Sequence, residues 1–357
     1  MRALHLLRDD HRTHVGGDQA VLVGMVEGLR RAGVDAVAAA WDDAPDAVDV
    51  VHLYNLWLPY ELQRDADRAR ERWPGAALAV TTIYWPFPMG EALRSRQWPV
   101  VRRALRTNAQ LRWTTRPVGA VLRAADLVVV QTAAEDRLLR RRYGRGAPLR
   151  TTTIANGIWF DDWSRPAAIE KADVLREIGV DASASTLVVC VGAVTPRKNQ
   201  LGLVRAVART ADAALVLVGR LSGDSPAYAR AVLAEGAAMG ARFAWVGPRP
   251  AEDVRRLLGV ADVFALPSFL EAGASVAALE AAAAGCALVL DDLPATAEIW
   301  GDAATRCRPS DPASIARALD RAAVAGRWSA RARAQAHDLG PLAEQLARAY
   351  REVLDHR

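Results

Sequence analysis

Two adjacent cations follow a strongly apolar segment of the chain. In VGAVTPRKNQLGLVRAV, Arg197 and Lys198 lie between a predicted buried strand and a helix that begins near Asn199 or Gln200. The free amides and the positive dipole end of a helix N-terminus attract anions, and two cations beside them complete a diphosphate site. Only two of the 46 basic residues are lysines, so a lysine at this position is informative. We predict that this loop binds a diphosphate; the alternative is an ordinary charge pair at a helix start.

Two glutamates nine positions apart form the second candidate site. In LPSFLEAGASVAALEAAAAGCALVLDD, Glu271 follows a predicted strand and Glu280 lies in a helix otherwise made of Ala, Val and Leu. An ionised carboxylate on so apolar a helix is costly without a partner. Sugar or ribose hydroxyls are suitable partners, because a carboxylate accepts two of them. Gly273 and Ser275 can bring backbone amides close to the same ligand. The other interpretation pairs Glu280 with an arginine.

A glycine pair near the N-terminus is the third candidate. Gly16 and Gly17 lie between the first predicted strand and the first helix, with His11, His14 and Asp18 beside them. The backbone amides of such a loop can approach a phosphate or a sugar. A turn without a binding role explains a glycine pair equally well. The histidines have no spacing typical of metal ligands.

These loops belong to a pattern in which short apolar strands alternate with longer helical segments. Continuous apolar runs bounded by turns indicate strands buried on both faces, which is typical of a parallel sheet. The pattern therefore predicts an α/β protein with two Rossmann-like, doubly wound parallel-sheet domains facing an interdomain cleft. The predicted strands lie at 3–7, 48–55, 77–84, 126–132, 187–194, 214–219, 242–247, 262–268 and 287–292.

A polar segment at 156–186 separates the two halves of the pattern. The length of 357 residues also fits two domains, since single cores stop growing near ~250–300 residues. We assign 1–165 to an acceptor-binding domain and 166–340 to a donor-binding domain, and we expect the helix at 341–357 to pack back on the first. Ligands of such sheets bind outside the carboxyl ends of the strands, so the three candidate loops are well placed.

Composition excludes several classes of protein. The chain is 51% hydrophobic and 24% charged, unlike disordered or collagen-like sequences. Its three cysteines are odd in number and widely spaced, which favours reduced thiols in a cytoplasmic protein over a disulfide or zinc framework. We find no signal peptide at the N-terminus and no run of ~18 apolar residues that would cross a membrane. We therefore expect a cytoplasmic protein.

The basic residues are concentrated in one segment. Residues 91–150 contain 14 arginines and four acidic residues, while the net charge of the whole chain is only +5. No helix-turn-helix, finger or RNA-binding signature accompanies this charge, so we do not expect a nucleic-acid partner. Three interpretations account for this segment: peripheral contact with an anionic membrane, binding of a phosphorylated acceptor, or a solvent-exposed helix face without a binding role.

The three candidate loops together resemble the retaining GT-B glycosyltransferases of family four, also called glycosyl transferases group 1. VGAVTPRKNQ is similar to the phosphate-binding loop of that family, and LPSFLEAGASVAALEAAAAGCALVLDD, continuing to ATAEIWGDAATRCRPSDPASIARAL, to its nucleotide-sugar signature. GGDQAVLVGMVEGLRRAGVDAV, VDVVHLYNL, ADLVVVQTAAEDRLL and TTIANGIWF resemble its first-domain landmarks. The resemblance covers nearly the whole chain. It implies transfer of a sugar from a nucleotide-diphosphate sugar to an acceptor hydroxyl or amine, with retention of the anomeric configuration.

The resemblance also implies roles for individual residues. Arg197 and Lys198 would bind the donor diphosphate, Glu280 the ribose hydroxyls and Glu271 the donor sugar, and the catalytic set would be Arg197, Lys198 and Glu271. Two departures stand out: the family's glutamates are usually eight apart, and Tyr84 lies near the position of a histidine common in the family. A replacement role for Tyr84 or His14 stays open. The remaining implied donor residues are Gly16, Gly17, Arg249, Ala272, Gly273, Ala274 and Ser275.

The acceptor would bind to the first domain, which is rich in aromatic residues. Aromatic rings stack on sugar faces and bury apolar area. We favour Tyr54, Asn55, Tyr84 and Trp85, because they follow strand ends and should face the cleft; the predicted acceptor set also includes His14 and Asp18. A small molecule, a glycan or a glycolipid acceptor each fits this set.

We expect neither a metal nor a cofactor beyond the nucleotide-sugar co-substrate. Arg197, Lys198 and the helix start would stabilise the departing diphosphate, and the one Asp-x-Asp sequence, Asp65 to Asp67, lies in a charged helix. A nicotinamide-dependent oxidoreductase is disfavoured because no G-x-G-x-x-G follows the first strand of either domain. A nucleotide-sugar isomerase of the same shape and a non-catalytic, donor-binding partner subunit remain as alternatives.

Overall fold

The computed structural model describes residues 1–8, 17–144, 148–165, 169–181, 183–210, 212–271 and 273–357. Across these ranges the chain forms two parallel sheets of six strands each, flanked by helices. All nine strands predicted above are present. The predicted pair of Rossmann-like domains is therefore confirmed.

The first sheet has the strand order β2-β1-β3-β4-β5-β6. Its register places Ala3 opposite Ala36 on one side and Val50 on the other. The direction of winding reverses between β1 and β3, and such a reversal opens a crevice at the carboxyl ends of the strands. The strands are β1 (Arg2–Leu6), β2 (Asp35–Ala39), β3 (Val50–Tyr54), β4 (Ala77–Thr81), β5 (Leu127–Val130) and β6 (Thr151–Thr153).

The helices of this half connect the strands and cover both faces of the sheet. They are α1 (Gly17–Arg31), α2 (Pro59–Arg72), α3 (Met89–Arg94), α4 (Trp98–Trp113), α5 (Thr115–Ala124) and α6 (Ala133–Tyr143), with one 3₁₀ turn at Trp41–Asp43. Three of them, α3 to α5, fill the long connection between β4 and β5. The short helix α7 (Phe160–Ser164), after β6, packs instead in the core of the second domain.

The second sheet has the strand order β12-β11-β10-β7-β8-β9. Numbered within the sheet this is the 3-2-1-4-5-6 arrangement of nucleotide-binding domains, read from the other end, and its reversal lies between β7 and β10. The strands are β7 (Thr186–Val191), β8 (Ala213–Val218), β9 (Phe243–Trp245), β10 (Val263–Leu266), β11 (Ala287–Asp291) and β12 (Thr305–Cys307).

The second half contains the remaining helices. They are α8 (Lys171–Glu177), α9 (Gln200–Val207), α10 (Pro226–Ala237), α11 (Ala251–Val260), α12 (Val276–Ala283), α13 (Pro294–Trp300), α14 (Pro312–Ala325), α15 (Arg331–Gln335) and α16 (Leu339–Asp355), with 3₁₀ turns at Gly240–Arg242 and Gly301–Ala303. None of the helices in the described ranges is long and apolar enough to cross a membrane.

The cores explain why the apolar runs become strands. Every residue of β4, β5, β8, β10 and β11 is buried, because helices cover both faces of each sheet. A strand with both faces covered needs an unbroken apolar run of branched side chains, and this is the pattern in the sequence. The buried strands are therefore a rigid base for the loops at their carboxyl ends.

The last helix, α16, lies against the first domain. A side chain at Gly28 of α1 would place its Cβ 2.6 Å from the Cβ of Ala343, so glycine lets the two helices approach closely. On the sheet side, the Tyr350 hydroxyl is hydrogen-bonded to the Nδ1 atom of buried His52 in β3. The C-terminal helix is thus part of the core that supports the first sheet.

Candidate active site

The two charged loops meet at the reversal of the second sheet. One loop follows β7 and contains Arg197 and Lys198, and the other follows neighbouring β10 and contains Glu271. The Phe269 amide donates to the carbonyl of Arg197 at 2.8 Å, and the Arg197 guanidinium donates to the carbonyl of Leu270 at 3.0 Å. Each loop follows a strand that the sequence predicts, and the strand order of the sheet places the two loops side by side.

Arg197, Lys198 and Glu271 form one charged cluster. The Lys198 Nζ atom lies 2.6 Å from a carboxylate oxygen of Glu271, and the Arg197 Nη1 atom lies 3.4 Å from the same oxygen. Burial opposes ionisation of Glu271, but the charges of Lys198 and Arg197 outweigh it and lower its pKa. Burial also lowers the pKa of Lys198, against the opposing attraction of Glu271. Two cations and one carboxylate leave the cluster with a surplus positive charge, which favours an anionic ligand.

Asn199 fixes the start of the helix beside this cluster. It is buried and adopts the left-handed conformation at φ 59°, which asparagine tolerates better than most residues. Its side-chain amide donates to the carbonyls of Pro267 and Pro309 at 3.1 and 2.8 Å. Because these bonds connect the loop to two other segments, the cations are held on a fixed backbone. Sequence reasoning noted Asn199 only as a helix start.

Glu280 lies in the middle of α12 and is half-buried. We find no hydrogen bond or ion pair between its carboxylate and any residue that the structure describes. Burial raises the pKa of Glu280 to about 8, and the nearby charge of Arg255 opposes this shift only in part. The carboxylate therefore keeps its acceptor capacity for a ligand, and the alternative of a direct arginine ion pair is absent from the described contacts.

The other predicted donor residues take different positions. Gly273 and Ala274 lie between Glu271 and α12, and Ser275 is the residue before that helix. Arg249 lies in the exposed loop after edge strand β9, two strands from β7, and its role in donor binding stays a prediction. Gly17 is the first residue of α1 and Asp18 the second. The predictions for His14, Gly16 and Ala272 fall outside the described residues.

Two residues of the first domain lie against the donor loop and were missed by sequence reasoning. A Cβ at Gly273 would lie 2.5 Å from the Oε1 atom of Gln131, and the Asn156 amide side chain donates to the carbonyl of Ala274 at 3.0 Å. The Asn156 backbone amide also donates to Gln131, at 3.2 Å. Both residues follow strand ends of the first sheet, which is the signal that would have identified them.

A buried carboxylate organises the same edge of the first sheet. Glu135 accepts hydrogen bonds from the amides of Gln131 and Tyr84, both at 2.6 Å, and from the Thr82 hydroxyl at 2.8 Å. Burial raises the pKa of Glu135 to about 7, although these hydrogen bonds lower it. Glu135 thus joins the loops after β4 and β5 beneath the interdomain contact. Sequence reasoning assigned it no role.

The side chains of the predicted acceptor residues have partners within the first domain. The Tyr54 hydroxyl is 2.6 Å from the Nδ1 atom of His5, and Tyr84 packs edge to face against Tyr143 with 4% of its surface exposed. Asn55, at φ 74°, accepts a hydrogen bond from the Trp57 amide. The expectation that these side chains face an open cleft is wrong for Tyr84, whose ring is buried, whereas Tyr54 is half-buried and lines a small pocket with Leu58 and Leu62. A role of these residues in acceptor binding stays a prediction.

Trp85 also departs from that expectation, because it packs in an apolar cluster between the domains. It is 7% exposed and shares this cluster with Phe87 of the first domain and with Phe269 and Leu270 of the second. The rings of Phe87 and Phe269 stack with centroids 6.1 Å apart. The cluster buries more apolar area than an exposed position at the cleft would, which explains the inward orientation. A direct role of Trp85 in acceptor binding stays a prediction.

Comparison with known proteins gives the class of the second domain. The family model described as glycosyl transferases group 1 matches residues 185–323, a range that contains both charged loops and Glu280. No curated protein sequence matches the chain. Within the described ranges, no group of three or more His, Cys, Asp or Glu residues is arranged to hold a metal ion.

Solved structures share the whole architecture. Sucrose-phosphate synthase from Thermosynechococcus elongatus superposes with a TM-score of 0.79 at 19% identity, covering 100% of both chains. HepE of Anabaena, solved with UDP and glucose, gives 0.74 at 16% identity, covering 99% of this chain and 100% of that one. The E. coli trehalose-6-phosphate protein bound with UDP-2-fluoro glucose gives 0.68 at 16%, covering 98% and 99%. The structures establish the GT-B fold of the chain, and the family model identifies residues 185–323 as a group 1 glycosyltransferase domain.

Proposed function

We propose that the protein transfers a glycosyl residue from a nucleotide-diphosphate sugar to a hydroxyl or amine of an acceptor, with retention of configuration and without a metal ion or cofactor. The observation that supports this most directly is the cluster of Arg197, Lys198 and Glu271 at the reversal of the second sheet. HepE and the E. coli protein, which share the fold, are solved with UDP or a UDP-sugar analogue. A uridine nucleotide is therefore the first donor base to test.

The cation pair is suited to the leaving diphosphate. When a donor binds, its phosphate oxygens would replace Glu271 as acceptors for the Lys198 ammonium, and the Arg197 guanidinium would donate to a second oxygen. The negative charge that grows as the C1–O bond breaks is then stabilised by two groups held in place before the reaction. These cations supply the charge that a divalent ion supplies in other transferases.

The two glutamates would hold the rest of the donor. Glu271, released from Lys198, would accept hydroxyls of the donor sugar. Glu280 has no described partner and would accept the two ribose hydroxyls, with Gly17 near the diphosphate side of the cleft. For retention, we propose that the acceptor attacks C1 from the face that the diphosphate leaves, and that a departing phosphate oxygen takes the acceptor proton.

The test compares the two lysines of the chain. We expect Lys198→Ala to lower kcat/KM for release of nucleotide diphosphate by about 10²–10³. Lys171→Ala is the matched control, because Lys171 forms an ion pair of the same length, 2.6 Å, with Asp262. Asp262 directly precedes β10, whereas the cluster lies beyond the other end of that strand. Both variants are checked for folding by thermal unfolding. Equal activity of Lys198→Ala and wild type would refute the assignment.

Two further readouts address the metal and the stereochemistry. Full activity in a chelator is expected, whereas strict dependence on a divalent ion would contradict the metal-free proposal. Proton NMR of the product made from an α-linked donor should show an α-linkage. An inverted linkage would contradict retention while leaving the donor site intact.

A further inference from the structure

The outward face of α4 has apolar residues without partners. Trp98, Leu105 and Trp113 are 67%, 51% and 83% exposed, and their spacing along the helix places them on one side. The opposite side packs into the first domain through Val100, Ala104, Thr107 and Leu111. The helix therefore presents apolar residues on two faces, and only one of them is covered by the described chain.

Arginines surround these exposed apolar residues. Arg102, Arg103, Arg106 and Arg112 of α4 are all exposed, and the helix contains no acidic residue. None of the four forms an ion pair with a residue that the structure describes. The contrast with α6 is informative, because there Arg140 is paired with Asp136 at 2.7 Å. The charge of α4 is thus left available for an external anion.

The exposed apolar residues and the arginines of α4 together favour an anionic lipid surface as the partner. Tryptophan is favoured at membrane interfaces, and a helix with an apolar face and a cationic border binds anionic lipids. A second copy of the chain fits poorly, because a symmetric contact through this face would bring the same arginines together. We propose that α4 docks on an anionic phospholipid surface through Trp98, Leu105 and Trp113, with Arg102 and Arg112 bound to lipid phosphates.

The docking face adjoins the candidate active site. Gln97, the residue before α4, donates a hydrogen bond to the side chain of Asn199 at 3.3 Å, and Asn199 follows Lys198. A membrane bound to α4 would therefore lie at the edge of the cleft. This favours an acceptor whose hydroxyl lies at a membrane surface, a consequence that rests on the proposed function.

The test is cosedimentation of the full chain with vesicles. We expect binding to vesicles of phosphatidylcholine mixed with phosphatidylglycerol, weak binding to phosphatidylcholine alone, and a loss of binding as salt is raised. Arg102→Gln combined with Arg112→Gln should lower the partition coefficient about thirtyfold. Trp98→Ser combined with Trp113→Ser should abolish binding at physiological salt.

Matched controls lie on the second domain. Arg209→Gln with Arg230→Gln removes two exposed arginines, and Val324→Ser removes a residue that is 90% exposed; both should bind like wild type. Equal binding by the α4 variants and these controls would overturn the proposal. Absence of binding to the anionic vesicles, or a dimer that the tryptophan variant disrupts, would also overturn it. Release of nucleotide diphosphate is measured in parallel without vesicles, so that failure of docking and failure of the proposed reaction are distinguished.

Discussion

The two lysines form the same type of contact in different electrostatic surroundings. Lys171 and Lys198 each form an ion pair of 2.6 Å with a carboxylate. The partner of Lys171, Asp262, also accepts the amide of Leu187 at 2.7 Å, so that pair connects α8 to the start of β7. The partner of Lys198 is shared with a second cation, Arg197. A balanced pair stabilises structure, whereas a pair with a surplus cation can exchange its carboxylate for a phosphate.

Glu280 is a residue whose burial reduces stability near neutral pH, and in the proposed function it holds the donor ribose. Burial raises the pKa of Glu280 in the folded state to about 8, whereas its ordinary value is 4.5. Between these two pH values, the folded state therefore keeps a proton that the unfolded state has lost. Stability from this group therefore falls as pH rises from 4.5 to about 8. Glu280→Gln should raise the unfolding free energy by about 1–3 kcal/mol near the upper end of this range. The same change should weaken donor affinity.

The experiment measures thermal unfolding of the Glu280 variant across this pH range, together with binding of UDP. Glu344→Gln on α16 is the control, because that carboxylate is 65% exposed and its removal should change neither property. A Glu280 variant that binds UDP like wild type would show that the carboxylate does not hold the nucleotide. A variant less stable than wild type would show that the carboxylate has an internal partner.

At the scale of elements, the sequence predicts the strands at the centres of the sheets better than those at their edges. The three strands that the pattern did not identify are β2, β6 and β12, and all three lie at sheet edges. Edge strands bond to one neighbour only, so they are short and need no continuous apolar run. Their sequences, DAVAA, TTT and TRC, therefore resemble those of loops.

Strand ends show a second limit of sequence reasoning. The pattern places Tyr54 and Tyr84 at the carboxyl edge of the first sheet, but it does not fix the direction of a side chain once the regular alternation of the strand ends. Tyr54 turns toward His5 and Tyr84 toward Tyr143. The second-domain cluster was easier to predict because two unrelated loop motifs, one with cations and one with a glutamate, indicated the same ligand.

The contact of α16 with the first sheet depends on two buried histidines. His52 is hydrogen-bonded to Tyr350 and, at 2.7 Å, to the Thr81 hydroxyl. Burial lowers the pKa of His5 to about 3, and burial together with His5 lowers that of His52 well below 6.5. Both stay neutral in the folded state, while the unfolded state takes up protons below 6.5. Their contribution to stability is thus complete above 6.5 and lost as pH falls.

We expect His52→Gln to be less stable than wild type near neutral pH. The difference should shrink by about 1.4 kcal/mol per pH unit below 6.5, because the variant no longer has this proton uptake on unfolding. Urea unfolding at about pH 7.5 and about pH 5 measures the effect. His356→Gln, at the exposed C-terminus, is the control. A difference that is constant with pH would contradict the argument.

At the scale of the whole molecule, the contacts between the domains lie beside the donor loops. Gln131 and Asn156 of the first domain contact the backbone that follows Glu271. Such pairs are separated by more than a hundred residues, and neither partner has a distinctive sequence signal. Only the assembled structure reveals that these first-domain residues lie against the proposed donor loop. Other interdomain contacts join Gln97 to Asn199, Glu91 to Ser310, Phe87 to Phe269, and Glu298 to the amides of Ala133 and Ala134.

The contact of Glu298 with α6 offers a direct test of domain closure. The carboxylate of Glu298, on α13 of the second domain, accepts the amides of Ala133 and Ala134 at 2.6 and 2.9 Å, so it neutralises the positive end of a first-domain helix. Glu298→Ala removes this contact and should make the closed form about 1 kcal/mol less stable relative to an open form. The equilibrium then shifts about fivefold toward the open form. Small-angle scattering should then give a larger radius of gyration. Thr132→Ala removes a cap of the same helix within the first domain, so it should lower the melting temperature without changing that radius. Equal radii for wild type and Glu298→Ala would mean that the other interdomain contacts hold the domains together without this one.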